Sequence, residues 1–279
     1  MTLWMALSAG LTGCANIPTP AQRLAHADQL ASAQGWQGLT LTAPVPSRSP
    51  GQEAFSFKAY APAVPAHVDT LSIYIEGDGL AWLTPDQPSD DPSPVDPLAL
   101  RLALAQPHGT AAYLARPGQF NAPAPSTVCP PDYWTDRRFA PEVIDATNAA
   151  IDQLKARFAA RHLVLVGYSG GGAVAALAAA RRSDVARLIT VAGNLDHRNW
   201  TTLHRLRPLS GSLNPADEIG ALQQIPQWHL VGALDENVTP DLVRGFAALF
   251  PADRRPQVSV IDGFDHRCCW VQRWATWMP

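Results

Sequence analysis

A serine, an aspartate and a histidine stand along this sequence in surroundings that suit nucleophilic catalysis. Ser169 lies at the centre of the run GYSGG, which fits the pattern G-x-S-x-G. Asp235 and His266 follow downstream, each a few residues after a short apolar run. A serine hydroxyl is a weak nucleophile that needs a base, and an imidazole base needs a carboxylate to orient it. The three residues therefore predict attack of Ser169 on an acyl carbon.

The residues around Ser169 predict a sharp turn that would expose its hydroxyl. His162–Val166 is an apolar run typical of a buried strand, and it leads directly into the glycines. Gly170–Arg182 is rich in small residues and predicts a helix that begins at the turn. A strand, a tight turn and a helix in this order form a nucleophile elbow. The elbow places the serine oxygen at the carboxyl edge of a sheet, beside the positive end of a helix.

Strand-like and helix-like segments alternate along most of the chain, which predicts an α/β fold with parallel strand pairing. The further predicted strands are Leu71–Ile75, Thr110–Ala115, Leu188–Val191, Trp228–Val231 and Val258–Ile261. With its elbow and its order of serine, acid and histidine, the sequence resembles the α/β-hydrolases from about Glu53 to Trp277. The resemblance implies a mostly parallel central sheet flanked by helices. It also implies a serine hydrolase that uses no metal and no organic cofactor.

The chain order implied by the resemblance assigns the acid and the base. Asp235 follows the predicted strand Trp228–Val231 and fits the acid, with Asp196 and Glu236 as alternatives. Among eight histidines, only His266 lies in a loop after the last predicted strand and before the final predicted helix. We therefore expect Ser169 to be the nucleophile, His266 the base and Asp235 the orienting acid.

An oxyanion hole needs two backbone N–H groups aimed at the developing negative charge. The resemblance implies Gly170 for one of them and Asp78, in the run EGDGL after the strand Leu71–Ile75, for the other. Glu76 stands where many α/β-hydrolases carry histidine. A carboxylate beside an oxyanion would oppose catalysis, so we expect the side chain of Asp78 to turn away.

The long segment at residues 194–226 follows the predicted strand Leu188–Val191. In α/β-hydrolases this position often holds a cap over the active site. The sequence therefore predicts either a small cap at residues 194–226 or a surface excursion that packs on itself.

The N-terminus predicts export and lipid anchoring. Residues 1–13 carry no charged side chain and end in the tetrapeptide LTGC, which resembles a bacterial lipobox. That resemblance implies a signal peptide at residues 1–13 and lipidation of Cys14, although a positively charged start is missing. Residues 14–50 are then expected to form a tether and docking segment, and residues 51–279 the hydrolase domain. Ala15 favours the outer membrane, facing the periplasm.

Three cysteines remain after Cys14. In an oxidising compartment two of them should pair. We expect Cys129 to bond Cys268 or Cys269, with a vicinal Cys268–Cys269 bridge or three buried thiols as alternatives.

Composition narrows the function classes. The 279 residues have a net charge of −3, and this argues against a general nucleic-acid binder, which needs a basic face. No H-E-x-x-H motif or cluster of metal ligands is evident, so no metal site is predicted. We therefore expect a serine hydrolase acting on a small-molecule ester or related acyl bond. Peptidase, thioesterase and acyltransferase activities remain open, and so do the natural substrate and the oligomeric state. A catalytically silent, lipid-anchored binding or envelope-organising protein is the alternative from another class.

Overall fold

The computed structural model describes residues 17–44, 54–121 and 129–278. The strands are β1 (Trp36–Pro44), β2 (Ala54–Pro62), β3 (Thr70–Ile75), β4 (Trp82–Thr84), β5 (Gln87–Pro88), β6 (Thr110–Leu114), β7 (His162–Tyr168), β8 (Val185–Val191), β9 (Gln227–Gly232) and β10 (Gln257–Ile261). The α-helices are α1 (Pro20–Ser32), α2 (Leu98–Leu104), α3 (Pro141–Arg157), α4 (Gly170–Ala179), α5 (His197–Leu203), α6 (Ile219–Leu222), α7 (Pro240–Ala248) and α8 (Trp270–Arg273).

The central sheet has eight strands in the order β1-β2-β6-β3-β7-β8-β9-β10. Six neighbouring strands of this sheet pair in parallel, because helical crossovers separate them along the chain: β6, β3, β7, β8, β9 and β10. At one edge of this sheet, β1 pairs antiparallel with β2, and β2 pairs antiparallel with β6; β4 and β5 form a separate antiparallel pair. The predicted α/β class with a mostly parallel sheet is therefore confirmed. Strand β7, which leads to Ser169, lies between β3 and β8 in the middle of the sheet.

Apolar side chains fill both faces of the sheet, as a parallel sheet between two helical layers requires. Within β3, Leu71 and Ile73 belong to a core that includes residues of α3 and α4. Tyr74 belongs to a second core, which α1, α2 and α8 cover. Alternate residues of the strand thus anchor opposite layers.

Helix α4 packs very closely against the sheet because its first turn is made of glycine. A Cβ atom on Gly171 would lie 2.3 Å from the carbonyl oxygen of Ile75 at the end of β3. A Cβ on Gly167 would lie 2.3 Å from the carbonyl oxygen of Gly171. Side chains at these positions would push the helix away, so the glycines let Ser169 stand at the junction of strand and helix.

The sheet begins earlier in the chain than the sequence predicts. Strand β1 pairs with β2 along its whole length, from Trp36 opposite Pro62 to Pro44 opposite Ala54. Part of the expected tether and docking segment (residues 14–50) is therefore the edge strand of the sheet, and the domain start at residue 51 stays a prediction. The predicted signal peptide (1–13) and Cys14 lie outside the described residues.

The segment at residues 194–226 contains α5 and α6. None of its residues lines the cavity that contains Ser169. Within it, Trp200 donates to the side chain of Asn237 beside the site, and the cap at residues 194–226 stays a prediction. Across the described ranges, no helix is both long and apolar enough to cross a bilayer.

The disulfide joins Cys268 to Cys269. The expected bond from Cys129 to one of them is wrong, and the vicinal alternative is the one observed. Cys129 packs against the core on the α3 and α4 face of the sheet, whereas Cys269 packs against the core on the other face. The sheet separates them, so neighbours in sequence pair instead.

Candidate active site

Ser169 has the strained backbone expected of a nucleophile elbow. Its φ is 52° and its ψ is −122°, a conformation that is rare for a residue with a side chain. Surrounding hydrogen bonds hold it there. Its N–H donates to the carbonyl oxygen of Val191 at 3.0 Å, and its carbonyl oxygen accepts from Gly172 at 2.9 Å and Asn194 at 3.0 Å. The turn is therefore fixed by the end of β8 as well as by its own helix.

Ser169, His266 and Asp235 form a continuous chain of hydrogen bonds. The Nδ1 atom of His266 lies 2.8 Å from Oδ2 of Asp235, and its Nε2 atom lies 3.0 Å from Oγ of Ser169. A carboxylate only accepts hydrogen bonds, so Nδ1 carries the proton of a neutral imidazole. Nε2 is then unprotonated and faces the serine hydroxyl, as a general base must.

The turn after β9 holds the carboxylate of Asp235. Oδ1 accepts backbone N–H groups from Asn237 at 2.9 Å and Val238 at 2.8 Å, which leaves Oδ2 for His266. The side chain is fully buried. Burial and two N–H donors prevent rotation of the carboxylate, so it orients the imidazole ring.

The two alternative acids lie in other contacts. Asp196 caps α5 by accepting from the N–H groups of Arg198 and Asn199. Glu236 is exposed, next to Asp235 in the same turn. The only carboxylate bonded to His266 among the described residues is therefore that of Asp235.

The two predicted oxyanion-hole residues are adjacent. A Cβ atom on Gly170 would lie 2.0 Å from Oδ1 of Asp78, so the carboxylate rests directly against the glycine. The backbone N–H groups of Asp78 and Gly170 donate to no other group in the described ranges. Both remain available for an oxyanion. The expectation that the side chain of Asp78 turns away is wrong, because it lies beside Gly170.

Two buried arginines pair with the carboxylate of Asp78. Arg116 follows β6 and donates to Oδ1, and Arg138 donates from the loop before α3 to Oδ2 at 2.5 Å. The side chains of Arg116 and Arg138 are only 5% and 6% exposed. Burial by itself would raise the pKa of Asp78, but the arginine charges outweigh it and lower that pKa. The two arginines therefore compensate the negative charge of the Asp78 carboxylate, which stays close to Gly170.

Glu76 lies one residue before the glycine turn and is buried. Its Oε1 atom accepts the N–H of Gly77 at 2.9 Å, next to the main chain that carries Asp78. Burial raises the pKa of Glu76 from 4.5 to about 7, and no cation among the described residues forms an ion pair with it as the arginines do with Asp78.

Ser169 and His266 open into a cavity of about 420 Å³ at the carboxyl edge of the sheet. The other residues of its wall include Glu76, Asp78, Leu80, Pro94, Val95, Asp96, Leu98, Tyr168, Asn237 and Arg267. The wall thus mixes polar groups near the serine with apolar side chains further out. Such a cavity is of the size that holds a small organic molecule. No group of three or more metal-ligating side chains comes together within the described residues.

Comparisons with known proteins identify the architecture. No protein-family model and no curated protein sequence matches this chain. Est1E from Butyrivibrio proteoclasticus is 14% identical, with 86% of this chain and 95% of that chain covered and a TM-score of 0.56. XC6422 from Xanthomonas campestris, described as a serine hydrolase without lid, is 17% identical, with 87% and 96% covered and a TM-score of 0.52. The acylaminoacyl peptidase of Pyrococcus horikoshii is 12% identical, with 88% and 41% covered and a TM-score of 0.58.

The chain has an α/β-hydrolase fold. At these identities the likeness concerns the architecture, and the chemistry has to be argued from the side chains of this chain. This α/β-hydrolase fold brings together all five residues predicted for catalysis and for the oxyanion hole. Sequence analysis missed Arg116 and Arg138. Their pairing with Asp78 spans 38 and 60 residues, and no local pattern marks it.

Proposed function

We propose that this protein is a serine hydrolase that cleaves an ester or related acyl bond through an acyl-enzyme intermediate. The observation that carries the proposal is the unbroken hydrogen-bond chain from Ser169 through His266 to Asp235 at a strained elbow. A glycine-rich turn alone could serve other ends, but it has no need of an oriented imidazole. The three side chains therefore support nucleophilic catalysis over a silent scaffold.

The proposed reaction follows from the geometry. Ser169 Oγ forms a bond to the acyl carbon as its proton passes to Nε2 of His266. The carbonyl oxygen becomes an oxyanion, which the N–H groups of Asp78 and Gly170 bind. Collapse of this intermediate breaks the bond to the leaving group, which takes the proton from Nε2. Water then repeats the sequence on the acyl-enzyme and releases the acid.

A small-molecule acyl substrate is the proposed substrate class. The cavity of about 420 Å³ beside Ser169 supports it. The solved structures with this fold include proteins described as esterases and one described as an acylaminoacyl peptidase. We favour a carboxylic ester, and a panel of esters, thioesters and peptides with the same acyl group would rank these substrates.

Covalent labelling by a fluorophosphonate tests the proposal. We expect the wild-type protein to be labelled, and Ser169→Ala and His266→Ala to lose the label. A folded wild-type protein that takes no label would contradict the proposal, and a binding role on an inactive hydrolase scaffold would replace it.

We also propose that the chain is a lipoprotein of the bacterial cell envelope, anchored through Cys14 and facing the periplasm from the outer membrane. The run LTGC at residues 11–14 supports this. Expression in a bacterium with an alkyne fatty acid should label the wild-type protein and leave Cys14→Ser unlabelled. Equal labelling of the two proteins, or none of either, would contradict the anchor.

A further inference from the structure

Asn237 contacts the catalytic face of His266, although no pattern in the sequence marks it. Its side-chain amide Nδ2 lies 3.1 Å from Nε2 of His266, the nitrogen that also lies 3.0 Å from Ser169 Oγ. Asn237 also lies in the wall of the cavity that contains Ser169. A substrate bonded to Ser169 would therefore meet the Asn237 amide at the nitrogen that transfers the proton.

Helix α5 fixes the orientation of the Asn237 amide. The indole N–H of Trp200 lies 3.2 Å from Oδ1 of Asn237, and an indole nitrogen can only donate. Oδ1 must therefore face Trp200, and the NH₂ group must face His266. His204 adds a bond of 2.7 Å from its Nε2 to the backbone carbonyl of Asn237. The segment between β8 and β9 thus holds both the side chain and the backbone of Asn237 by hydrogen bonds.

The contact changes character when His266 takes up a proton. In the resting enzyme Nε2 has one lone pair, and both Ser169 Oγ–H and the Asn237 N–H point at it. Once the serine proton has moved to Nε2, that nitrogen can only donate, so it no longer accepts from Asn237. The amide N–H groups are then available to another acceptor within reach of Nε2. An interaction that becomes available only after proton transfer favours the transition state over the ground state.

We propose that Asn237 is a catalytic residue that binds the leaving oxygen of the substrate. As the tetrahedral intermediate collapses, the bond between acyl carbon and leaving oxygen breaks, and its electron pair stays on the oxygen. The proton on Nε2 of His266 passes to that oxygen while an Asn237 N–H donates to it, and the neutral alcohol departs. The proposal rests on the serine hydrolase function proposed above.

The Asn237 amide can also assist the attack of water on the acyl-enzyme. Water must place its oxygen near Nε2 of His266 to lose a proton, and an Asn237 N–H can donate to that oxygen as it approaches. The substrate class follows from the first half of the cycle. A donor to the leaving oxygen helps most where that oxygen is a poor leaving group, so the proposed substrates are esters of ordinary aliphatic alcohols.

Two esters of one acid test the proposal on the intact protein. Ethyl butyrate has a poor leaving group, and p-nitrophenyl butyrate has a good one that needs little stabilisation. We expect Asn237→Leu to lower kcat/KM for the ethyl ester about 100-fold, the usual effect of losing one donor to a developing charge. For the p-nitrophenyl ester we expect a loss of less than about fivefold. An equal loss for both esters, or no loss for either, would overturn the proposal.

Trp200→Phe provides a second variant that leaves Asn237 in place. It removes only the donor that orients the amide, so we expect a smaller loss, about tenfold, again confined to the ethyl ester. If Asn237→Leu fails to fold, the ester selectivity of Trp200→Phe tests the role of Asn237. Fluorophosphonate labelling separates the two proposals. Normal labelling of Asn237→Leu with unchanged ester selectivity refutes the role of Asn237 alone, whereas an unlabelled wild-type protein refutes the hydrolase itself.

Discussion

Two aspartates flank Ser169, and they differ in what surrounds them. Asp235 has a neutral environment: two backbone N–H groups, and the imidazole of His266. Asp78 has two cationic partners, Arg116 and Arg138. Both carboxylates lie within a few ångströms of the catalytic groups, one behind the base and the other against the glycine of the proposed oxyanion hole.

The difference shows how the same side chain serves opposite electrostatic needs. A positive charge forms on His266 during the proposed reaction, so the negative charge of Asp235 must stay available to it. A negative charge forms beside Gly170, so the negative charge of Asp78 must be cancelled. With two arginines on one carboxylate, the cluster carries a net positive charge at the side where the oxyanion forms.

The largest expected effect comes from removing the charge of Asp235. In Asp235→Asn the amide can no longer accept from Nδ1–H with a full negative charge, and the imidazole loses its orientation. We expect kcat for ester hydrolysis to fall about 10⁴-fold. Glu236→Gln is the matched control, since it removes the neighbouring exposed charge, and its kcat should stay within about twofold. Comparable losses in the two variants would contradict the assignment.

Breaking the other cluster should have an intermediate effect. Arg138→Met leaves Asp78 with one cationic partner and removes a buried ion pair. Oδ2 of Asp78 then loses its hydrogen bond while Arg116 still compensates the charge, so we expect the free energy of unfolding to fall by about 1–3 kcal/mol. We also expect kcat to fall about 10–100-fold, because the net charge of the cluster beside the oxyanion drops from +1 to zero. Urea unfolding and steady-state kinetics measure the two effects.

A double variant sharpens that test. Asp78→Asn in the Arg138→Met background restores a net charge of +1 to the cluster and keeps the backbone N–H. If the cluster acts on the oxyanion through its net charge, the double variant should recover part of kcat relative to Arg138→Met, while the unpaired Arg116 lowers stability further. Additive losses would show that the arginines act in some other way.

The smallest expected effect concerns Glu76, which forms no ion pair within the part of the chain that the structure describes. Burial raises its pKa from 4.5 to about 7, so the folded protein holds a proton that the unfolded chain releases at lower pH. The resulting stability is present below pH 4.5 and is lost as the pH rises through 7. Glu76→Gln mimics the protonated form. It should gain about 3 kcal/mol of unfolding free energy relative to wild type between pH 4.5 and pH 8.

Urea unfolding of both proteins at pH 5 and pH 8 measures the effect of Glu76. The comparison cancels groups that titrate alike in the two proteins. A constant difference between them across this range would contradict the raised pKa. We expect kcat to change little at pH 5, where both side chains are neutral.

Local patterns in the sequence were sufficient for the architecture and for three positions of the site. The apolar run into the glycines at residues 167–171 marks the elbow, and the alternation of strands and helices predicts a parallel sheet. In a parallel sheet the strand ends share one edge, so residues after β7, β9 and β10 must meet there. This is why Ser169, Asp235 and His266 could be singled out before their contacts were visible.

Chain connectivity and long-range packing decided the rest. The contacts of Asp78 and of Asn237 join residues 33 to 60 positions apart, and such contacts produce no periodic pattern in a sequence. The disulfide depended on which face of the sheet each cysteine occupies. The sequence by itself determined the elbow, the order of the catalytic groups and the sheet that gathers them, because strand and turn preferences are local. Only the tertiary structure decided how each charge near Ser169 is compensated, because compensation depends on which distant side chains the fold brings within a few ångströms.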